Sequence, residues 1–231
     1  MNEVLRQERK FLISLDQYYL YSRDLERLMI PDPHNKNDGY AIRSLYFDSL
    51  DDRDFEEKED GIELRRKFRL RNYGPDSNFA LLEMKQKEGP NQKKRSLKVT
   101  EPEAEALIKG DYTSLLLNPD SFGRECYTQL LMHGYKPSAI VEYQRMAFIA
   151  KENRIRITFD HHIVGTESNF NIFDASLPQY PLLDPYLVVL EVKYNGFLLS
   201  YIKDMLRQCN ASELSVGKYA LSRAVSKHYN F

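Results

Sequence analysis

The sequence predicts an α+β fold in which eight antiparallel strands close into a barrel-shaped tunnel that helices cover. The first indication is that eight strand-like runs occur, many of them as hairpin-like neighbours, which favours antiparallel pairing. The second indication is that charged and apolar residues alternate along most of these runs. Because successive side chains of a strand point to opposite sides, each such strand would present one charged face and one apolar face.

Strands are predicted where apolar residues recur with a period of two, and helices where they recur with the helical period. The predicted strands cover residues 4–13, 40–48, 62–73, 79–87, 93–99, 139–149, 153–164 and 187–194. The predicted helices cover residues 16–28, 101–117, 121–133, 197–209 and 217–228. Asp16 is the expected N-cap of the first helix, and Pro31 and Pro33 end it. Gly-Pro pairs at 74–75 and 89–90 supply turns between strands.

The composition allows one domain with a sizeable core, predicted over residues 1–231. The net charge is −1, so no overall charge attracts nucleic acid, and we expect no nucleic-acid partner. Cys126 and Cys209 are not in a CxxC spacing, which argues against a zinc site and is typical of a reducing compartment. No apolar run reaches about 18 residues, so we expect a cytoplasmic protein whose membrane-protein partner, if it has one, is another chain.

One predicted strand carries four cations in a row on a single face. These cations are Arg65, Lys67, Arg69 and Arg71. Phe68 and Leu70 fall on the opposite face of the same strand. Polar residues share a face in five further strands: Arg6, Glu8 and Lys10; Glu83, Lys85 and Lys87; Tyr143 and Arg145; Arg154, Arg156, Thr158 and Asp160; Glu191 and Lys193. Like charges side by side destabilise a sheet, so we expect an anion to offset them.

A sheet with one solvent-exposed face would show the same alternation, and for any single strand that is the simpler interpretation. If the sheet closes, the apolar face lies under the helices and the charged face lines the lumen. Acids among the cations would then balance charge or hold a divalent metal through oxygen. These acids are Glu8, Glu83, Asp160 and Glu191. Glu191 and Lys193 could equally form a plain cross-strand ion pair, and Lys218 could be a surface lysine.

Short motifs recur in a fixed order along the chain. They are E-x-K-F at Glu8–Phe11, S-L-Y-F-D at Ser44–Asp48, R-x-R-x-Y-G at Arg69–Gly74, L-E-x-K at Leu82–Lys85, E-Y-x-R at Glu142–Arg145, R-I-T-F-D at Arg156–Asp160, L-E-x-K at Leu190–Lys193 and G-K-Y at Gly217–Tyr219. Each motif alone is weak, whereas the ordered set is fairly specific. From Glu8 to Tyr219 the chain resembles the polyphosphate polymerase domain of the vacuolar transporter chaperone complex, within the triphosphate tunnel metalloenzymes.

This resemblance implies a tunnel of eight antiparallel strands whose basic side chains grip a triphosphate or polyphosphate. It implies that the phosphoryl group is clamped by Arg69, Arg71, Arg145 and Arg156. It implies phosphate contacts from Lys10, Lys67, Lys85, Tyr143, Lys193 and Lys218. The second strand of the Gly89 hairpin supplies one more contact, for which Lys93, Lys94 and Arg95 compete and Lys93 is preferred. Glu191 matches the family's ligand for Mn²⁺ or Mg²⁺, and Glu8 and Glu83 are further candidates.

Two positions depart from patterns in the wider family. Relatives that hydrolyse thiamine triphosphate or make cyclic AMP begin with E-x-E-x-K, whereas Arg6 replaces the first of these acids here. The polymerase branch shares this departure, which favours a polymerase over a hydrolase. Gly217 stands where the polymerase branch has a serine, so one hydroxyl contact beside Lys218 is absent.

The resemblance implies an enzyme that transfers the γ-phosphoryl group of ATP to a growing polyphosphate chain with a divalent metal. Such a reaction needs no nucleophilic side chain, because phosphoryl transfer depends on positioning and charge stabilisation. The chain has no P-loop, GxSxG, HExxH or GxGxxG motif that would indicate other chemistry. A metal-dependent tripolyphosphatase or nucleoside triphosphatase and a non-catalytic polyphosphate-binding module are the alternatives. The expected ligands are ATP, polyphosphate, tripolyphosphate and pyrophosphate.

Overall fold

The computed structural model describes residues 6–89, 91–209 and 217–228. The chain divides into two compact units, each with its own hydrophobic core. Unit 1 draws on Met1–Ala41, Tyr143–Val164 and Pro181–Gly217, and unit 2 on Ile42–Glu142, Gly165–Tyr180 and Lys218–Phe231. The single domain predicted over residues 1–231 stays a prediction.

The described residues form strands and helices in an α+β arrangement with a large antiparallel sheet, as predicted. The strands are β1 (Arg6–Ser14), β2 (Ile30–Pro31), β3 (Tyr40–Asp48), β4 (Leu64–Asn72), β5 (Phe79–Glu88), β6 (Asn91–Thr100), β7 (Lys136–Ile149), β8 (Arg156–Thr166), β9 (Tyr180–Pro181) and β10 (Leu187–Asn195). The helices are α1 (Leu15–Leu28), α2 (Arg53–Glu59), α3 (Glu101–Ile108), α4 (Ser114–Leu117), α5 (Ser121–Met132), α6 (Ser200–Gln208) and α7 (Lys218–His228). None of these helices has the length and apolar composition needed to cross a membrane.

In unit 1, strands β1, β10, β8 and β7 are neighbours in that order. The register places Leu190 beside Phe11 on one side and Phe159 on the other, and all three side chains enter one core. Helices α1 and α6 cover this face with residues such as Leu25 and Ile202. Because side chains alternate along a strand, the polar residues of β1, β10 and β8 lie on the opposite face.

In unit 2, strands β3, β4, β5 and β6 are neighbours in that order. The register places Leu70 between Leu45 and Leu82, and all three are fully buried. Helices α3 and α5 cover this apolar face, with Leu107 and Leu130 among the contributing residues. The cation row of β4 therefore lies on the other face of the sheet, which confirms the predicted alternation.

The hydrogen-bonded ladder of the described residues does not close, so the predicted closed eight-stranded barrel is not found as a continuous ladder. The path of hydrogen-bonded strands begins at β1 and ends at β6, and no ladder joins these two strands within the described residues. The sheet has ten strands, because the two-residue strands β2 and β9 pair with β7 and β8. Alternation predicts which face of a strand is polar, but it carries no information on whether the first and last strands pair.

Two helix boundaries differ from the prediction for local reasons. Ser14, not Asp16, caps α1, because its hydroxyl accepts a hydrogen bond from the Gln17 backbone N–H at 3.2 Å. The Gln17 side chain accepts one in return from the Ser14 backbone N–H at 3.0 Å, which completes a capping box. The predicted helix over 101–117 breaks after Ile108, where Gly110 adopts a left-handed φ of +86°.

Helix α2 is absent from the predicted elements, because Phe55 is its only apolar residue and no amphipathic pattern shows. A carboxylate at the end of the preceding strand stabilises it. Asp48 accepts hydrogen bonds from the backbone N–H groups of Asp54 at 2.8 Å and of Phe55 at 3.1 Å. These donors of the first turn have no partner within the helix, so Asp48 supplies the cap that the sequence pattern did not reveal.

Candidate functional site

The charged face of unit 2 is centred on Glu83 of β5, whose side chain is buried. Arg69 Nε donates a hydrogen bond to Glu83 Oε2 at 2.7 Å. Arg71 donates to Glu83 Oε1, and Lys94 Nζ lies 2.6 Å from the same oxygen. Burial would raise the pKa of Glu83, but the attraction of these three cations outweighs burial and lowers it to about 2. The face therefore holds three positive charges around one carboxylate that is ionised at neutral pH.

Glu83 is a counter-ion in this arrangement. Both of its carboxylate oxygens contact cations, and the predicted role of Glu83 as a metal ligand stays a prediction. One negative charge neutralises only part of three positive charges. Guanidinium groups such as those of Arg69 and Arg71 also bind the paired oxygens of a phosphate.

Lys94, and not Lys93, lies on this face. Lys94 pairs with Lys85 in the register of β5 and β6, and the neighbouring Lys93 therefore falls on the opposite face. The preference for Lys93 is wrong. Arg95 also lies on the opposite face, where its guanidinium donates two hydrogen bonds of 2.5 Å to Glu125 of α5. The sequence left the three residues undecided because the hairpin turn sets the register of the second strand.

Lys67 and Lys85 lie directly opposite each other on β4 and β5. Burial lowers the pKa of Lys67 to about 8, although the nearby carboxyl of Asp54 acts in the other direction. The Lys67 ammonium lies 5.2 Å from the centre of the Tyr219 ring, a cation–π contact that favours the charged form. Both predicted lysines are thus on the cationic face, and Lys67 is held by an aromatic ring.

The first turn of α7, which carries Lys218, is anchored through its neighbour Tyr219. The Tyr219 hydroxyl donates to Asp48 Oδ2 at 2.5 Å. Its ring stacks on that of Tyr46, with centroids 5.0 Å apart. The Tyr46 hydroxyl in turn accepts a hydrogen bond from Arg69 Nη1 at 3.3 Å. The S-L-Y-F-D and G-K-Y motifs, far apart in sequence, therefore meet in unit 2 and connect the start of α7 to the arginine row.

In unit 1, Arg145 of β7 is locked to Asp160 of β8 by two parallel hydrogen bonds. Nε donates to Oδ1 at 2.6 Å and Nη2 to Oδ2 at 2.7 Å. Burial opposes the positive charge, yet the Asp160 carboxylate holds the pKa of the Arg145 guanidinium well above its usual range. The guanidinium carbon lies 5.3 Å from the centre of the Tyr143 ring. The structure thus brings Tyr143 and Arg145 together, with their charge balanced by a fully buried acid.

Arg156 of β8 is held by two residues outside the sequence motifs. Its Nη2 donates to Asp32 Oδ2 at 2.7 Å and to the Tyr40 hydroxyl at 3.1 Å. Burial opposes the ionisation of Asp32, but hydrogen bonds from His34 and the charge of Arg156 lower its pKa. Sequence reasoning missed Asp32 because it follows β2 in a loop, where no periodic pattern applies. The only signal there is Pro-Asp-Pro, which indicates a turn.

Two carboxylates and two ammonium groups alternate across β1 and β10. Lys10 Nζ lies 2.6 Å from Glu8 Oε1 and 3.7 Å from Glu191 Oε2. Lys193 Nζ lies 3.7 Å from Glu8 Oε2 and also contacts Glu191. Glu191 and Lys193 therefore do form an ion pair, but within β10, whereas the cross-strand contacts are those of Lys10 with Glu191 and of Lys193 with Glu8. Thr158 lies opposite Glu191 in the ladder, and its buried hydroxyl has no hydrogen-bond partner among the described residues.

Comparison with known proteins points to one family. The family model described as the VTC domain matches residues 5–227. A putative adenylate cyclase structure from Bacillus halodurans is similar at 12% identity and a TM-score of 0.52, over 92% of this chain and 95% of that one. Another, from Vibrio parahaemolyticus, is similar at 12% identity and a TM-score of 0.51, over 96% and 99%. At this identity the two structures support the fold alone. Comparison with curated proteins gives no match.

The Glu83 cluster gives unit 2 a pH dependence. The folded pKa of Glu83 is depressed from 4.5 to about 2, so its contribution to stability is complete above about pH 4.5 and is lost as the pH falls towards 2. We predict that Glu83→Gln lowers the free energy of unfolding by about 3 kcal/mol at pH 7. The difference from wild type should shrink steadily between pH 4.5 and pH 3. Urea unfolding at several pH values measures it.

Glu105→Gln is the matched control, because the Glu105 side chain is 44% exposed and its ammonium partner, Lys109, lies 4.0 Å away. It should change the free energy of unfolding by less than about 0.5 kcal/mol at every pH. An equal loss for both variants, or a Glu83→Gln loss that does not vary with pH, would contradict the assigned cluster.

Proposed function

Because this chain belongs to the VTC domain family, we propose that it is a polyphosphate polymerase, which transfers the γ-phosphoryl group of ATP to a growing polyphosphate chain. Family membership supports chemistry on triphosphate or polyphosphate in general. The absence of an acid at position 6 favours synthesis over hydrolysis, since Arg6 replaces an acid found in hydrolytic relatives.

The observation that carries this proposal is the convergence of Arg69, Arg71 and Lys94 on the single carboxylate of Glu83. Three cations thus share one carboxylate, and Lys85 stands directly opposite Lys94 in the ladder. A bound phosphate chain would offer oxygens to these cations along the sheet face.

In the proposed reaction the chain's own residues bind, orient and neutralise. Arginine donors of unit 2 would hold phosphate oxygens in a fixed orientation, because a guanidinium presents paired N–H groups to two oxygens at once. Arg145 and Arg156 would do the same in unit 1, each held in place by a buried acid. The terminal oxygen of the polyphosphate attacks the γ-phosphorus of ATP, and ADP leaves. No protein group has to form a bond to phosphorus.

Divalent metal is part of the proposal, with Glu191 and Glu8 as the residues that would hold it. Their carboxylates lie on adjacent strands, and carboxylate oxygens are ligands that Mg²⁺ and Mn²⁺ prefer. Thr158, whose hydroxyl has no hydrogen-bond partner among the described residues, lies opposite Glu191. Within the described residues no three His, Cys, Asp or Glu side chains come together, so the ion would share these two carboxylates with substrate phosphates. When bound, it would neutralise charge on the oxygens next to the leaving group.

We predict that Arg69→Ala lowers the rate of polyphosphate synthesis from ATP and Mn²⁺ by about 10²-fold or more. Removal of one comparable electrostatic contact lowers the rate of an enzyme by about this factor. Arg66→Ala is the matched control, because Arg66 is on the same strand but its side chain falls on the opposite face. It should retain synthesis within about threefold. Gel electrophoresis of the phosphate products measures chain formation, and calorimetry measures the affinity for tripolyphosphate.

The products of the wild-type chain separate the candidate functions. Long phosphate chains support the polymerase. Release of orthophosphate without chains would contradict it in favour of a hydrolase, and tight binding without turnover would leave a binding module. Unchanged tripolyphosphate affinity in Arg69→Ala would contradict the assignment of the cationic face itself.

For the metal, we predict that Glu191→Gln lowers the affinity for Mn²⁺ by about tenfold or more, while the affinity for tripolyphosphate stays within about threefold. Electron paramagnetic resonance of free Mn²⁺ measures metal binding without any need for activity. Glu26→Gln, an exposed acid of α1, is the control and should leave the Mn²⁺ affinity unchanged. Wild-type Mn²⁺ affinity in Glu191→Gln would place the metal elsewhere.

A further inference from the structure

The loop between β2 and β3 is built against the strand that carries Arg145. The Asp32 backbone N–H donates to the carbonyl of Ala147 at 2.9 Å. Asn35 bridges to the same residue, since its side-chain amide donates to the Ala147 carbonyl at 2.8 Å and accepts from the Ala147 N–H at 3.1 Å. Gly39 closes the loop with φ of +91°, and a Cβ atom there would lie 2.3 Å from the Arg145 carbonyl oxygen. The loop is therefore fixed in place beside Arg145.

One side chain of this loop connects two groups that can contact an anion. Asp32 is 6% exposed and uses both carboxylate oxygens. Its Oδ2 accepts from Arg156 Nη2 at 2.7 Å. Its Oδ1 accepts from the His34 backbone N–H at 3.0 Å and lies 2.8 Å from His34 Nδ1. The guanidinium and the imidazole are consequently held side by side by a single buried acid.

The geometry determines which atoms are left for a ligand. An ionised carboxylate only accepts hydrogen bonds, so Nδ1 of His34 carries the proton that points at Asp32. The other ring nitrogen, Nε2, belongs to a side chain that is 79% exposed. The contacts described for Arg156 use only Nη2, so Nε and Nη1 keep their donors for oxygen atoms. When protonated, His34 would present Nε2–H beside those donors.

We propose that Asp32 is a positioning residue that holds Arg156 and His34 as a pair, and that His34 is a further contact for phosphate oxygens. The inference rests on the proposed function, because it assumes that Arg156 binds phosphate. The pair of donors suits the outer end of a phosphate chain, where a terminal group offers more oxygens than an internal one. The exposed imidazole of His34, which shares Asp32 with Arg156, fits this position.

A counter-ion role and a positioning role for Asp32 predict opposite changes in phosphate affinity when Asp32 is replaced by asparagine. If Asp32 only neutralised Arg156, then Asp32→Asn would remove a negative charge near the ligand and tighten phosphate binding. If Asp32 positions the two donors, the same substitution weakens binding although the local charge becomes more positive. The sign of the change therefore separates the two roles, which a loss of activity alone would not.

The experiment is calorimetric titration of tripolyphosphate into the full chain. We expect Asp32→Asn to weaken binding by about tenfold and His34→Gln by about threefold to tenfold. Lys36→Gln, which removes an exposed cation from the same loop, should weaken binding by less than about twofold. In an Arg156→Ala background, Asp32→Asn should add little further loss, because the group that it positions is gone.

Several results would overturn the inference. Tighter or unchanged binding by Asp32→Asn, or a loss that is fully additive with Arg156→Ala, would make Asp32 a counter-ion or a loop anchor. Equal affinities of His34→Gln and Lys36→Gln would remove His34 as a contact, and because His34 is exposed this variant should fold normally. If the wild-type chain does not bind tripolyphosphate at all, the proposed function fails first, and the inference falls with it.

Discussion

Repulsion between like charges on one sheet face is the constraint on which the rest of this structure depends. Strand β4 places its cations on one face because the opposite face, with Phe68 and Leu70, must enter the core. The cations cannot move away without withdrawing that apolar face. They are tolerated because carboxylates lie among them, and each carboxylate is buried more deeply than the cations it serves. Glu83 in unit 2 and Asp160 in unit 1 are 1% and 0% exposed.

These buried acids determine how the guanidinium groups of the site are oriented. An acid surrounded by arginines stays ionised, as the depressed pKa of Glu83 shows, so the guanidinium groups keep fixed orientations before any ligand arrives. Preorganised donors lose little entropy on binding, which is what a site for phosphoryl transfer requires. The two units differ in how acids are arranged around their cations. In unit 1 Arg145 and Arg156 each contact their own buried acid, whereas in unit 2 three cations share Glu83.

The sequence predicted those parts that follow from strand periodicity. The shared face of Arg69, Arg71 and Lys85 follows from a period of two, because the apolar residues between them must be buried. The choice of Lys94 over Lys93 depends on the register across the hairpin, which periodicity does not contain. The predicted pairing of the end strands is not found among the described residues, and periodicity could not have decided it, since this pairing is a long-range property.

Residues in loops were beyond periodic reasoning altogether. Asp32 contacts Arg156 although the two are 124 positions apart, and only a turn signal marks its place in the sequence. Asp48 was visible in a motif, but its function as a cap for α2 and an anchor for Tyr219 required the folded chain. Contacts of this kind arise from the fold, so they become visible only once the strands have brought distant loops together.

The most direct test of the account is lysine footprinting with and without tripolyphosphate, using an amine-acetylating reagent and mass spectrometry. We predict that the ligand protects Lys85, Lys94 and Lys10, whose side chains lie on the polar faces of their strands. Lys93, adjacent to Lys94 but on the opposite face, should react at the same rate in both conditions. Equal protection of Lys93 and Lys94, or protection of neither at saturating ligand, would contradict the claim that the cationic sheet face binds phosphate.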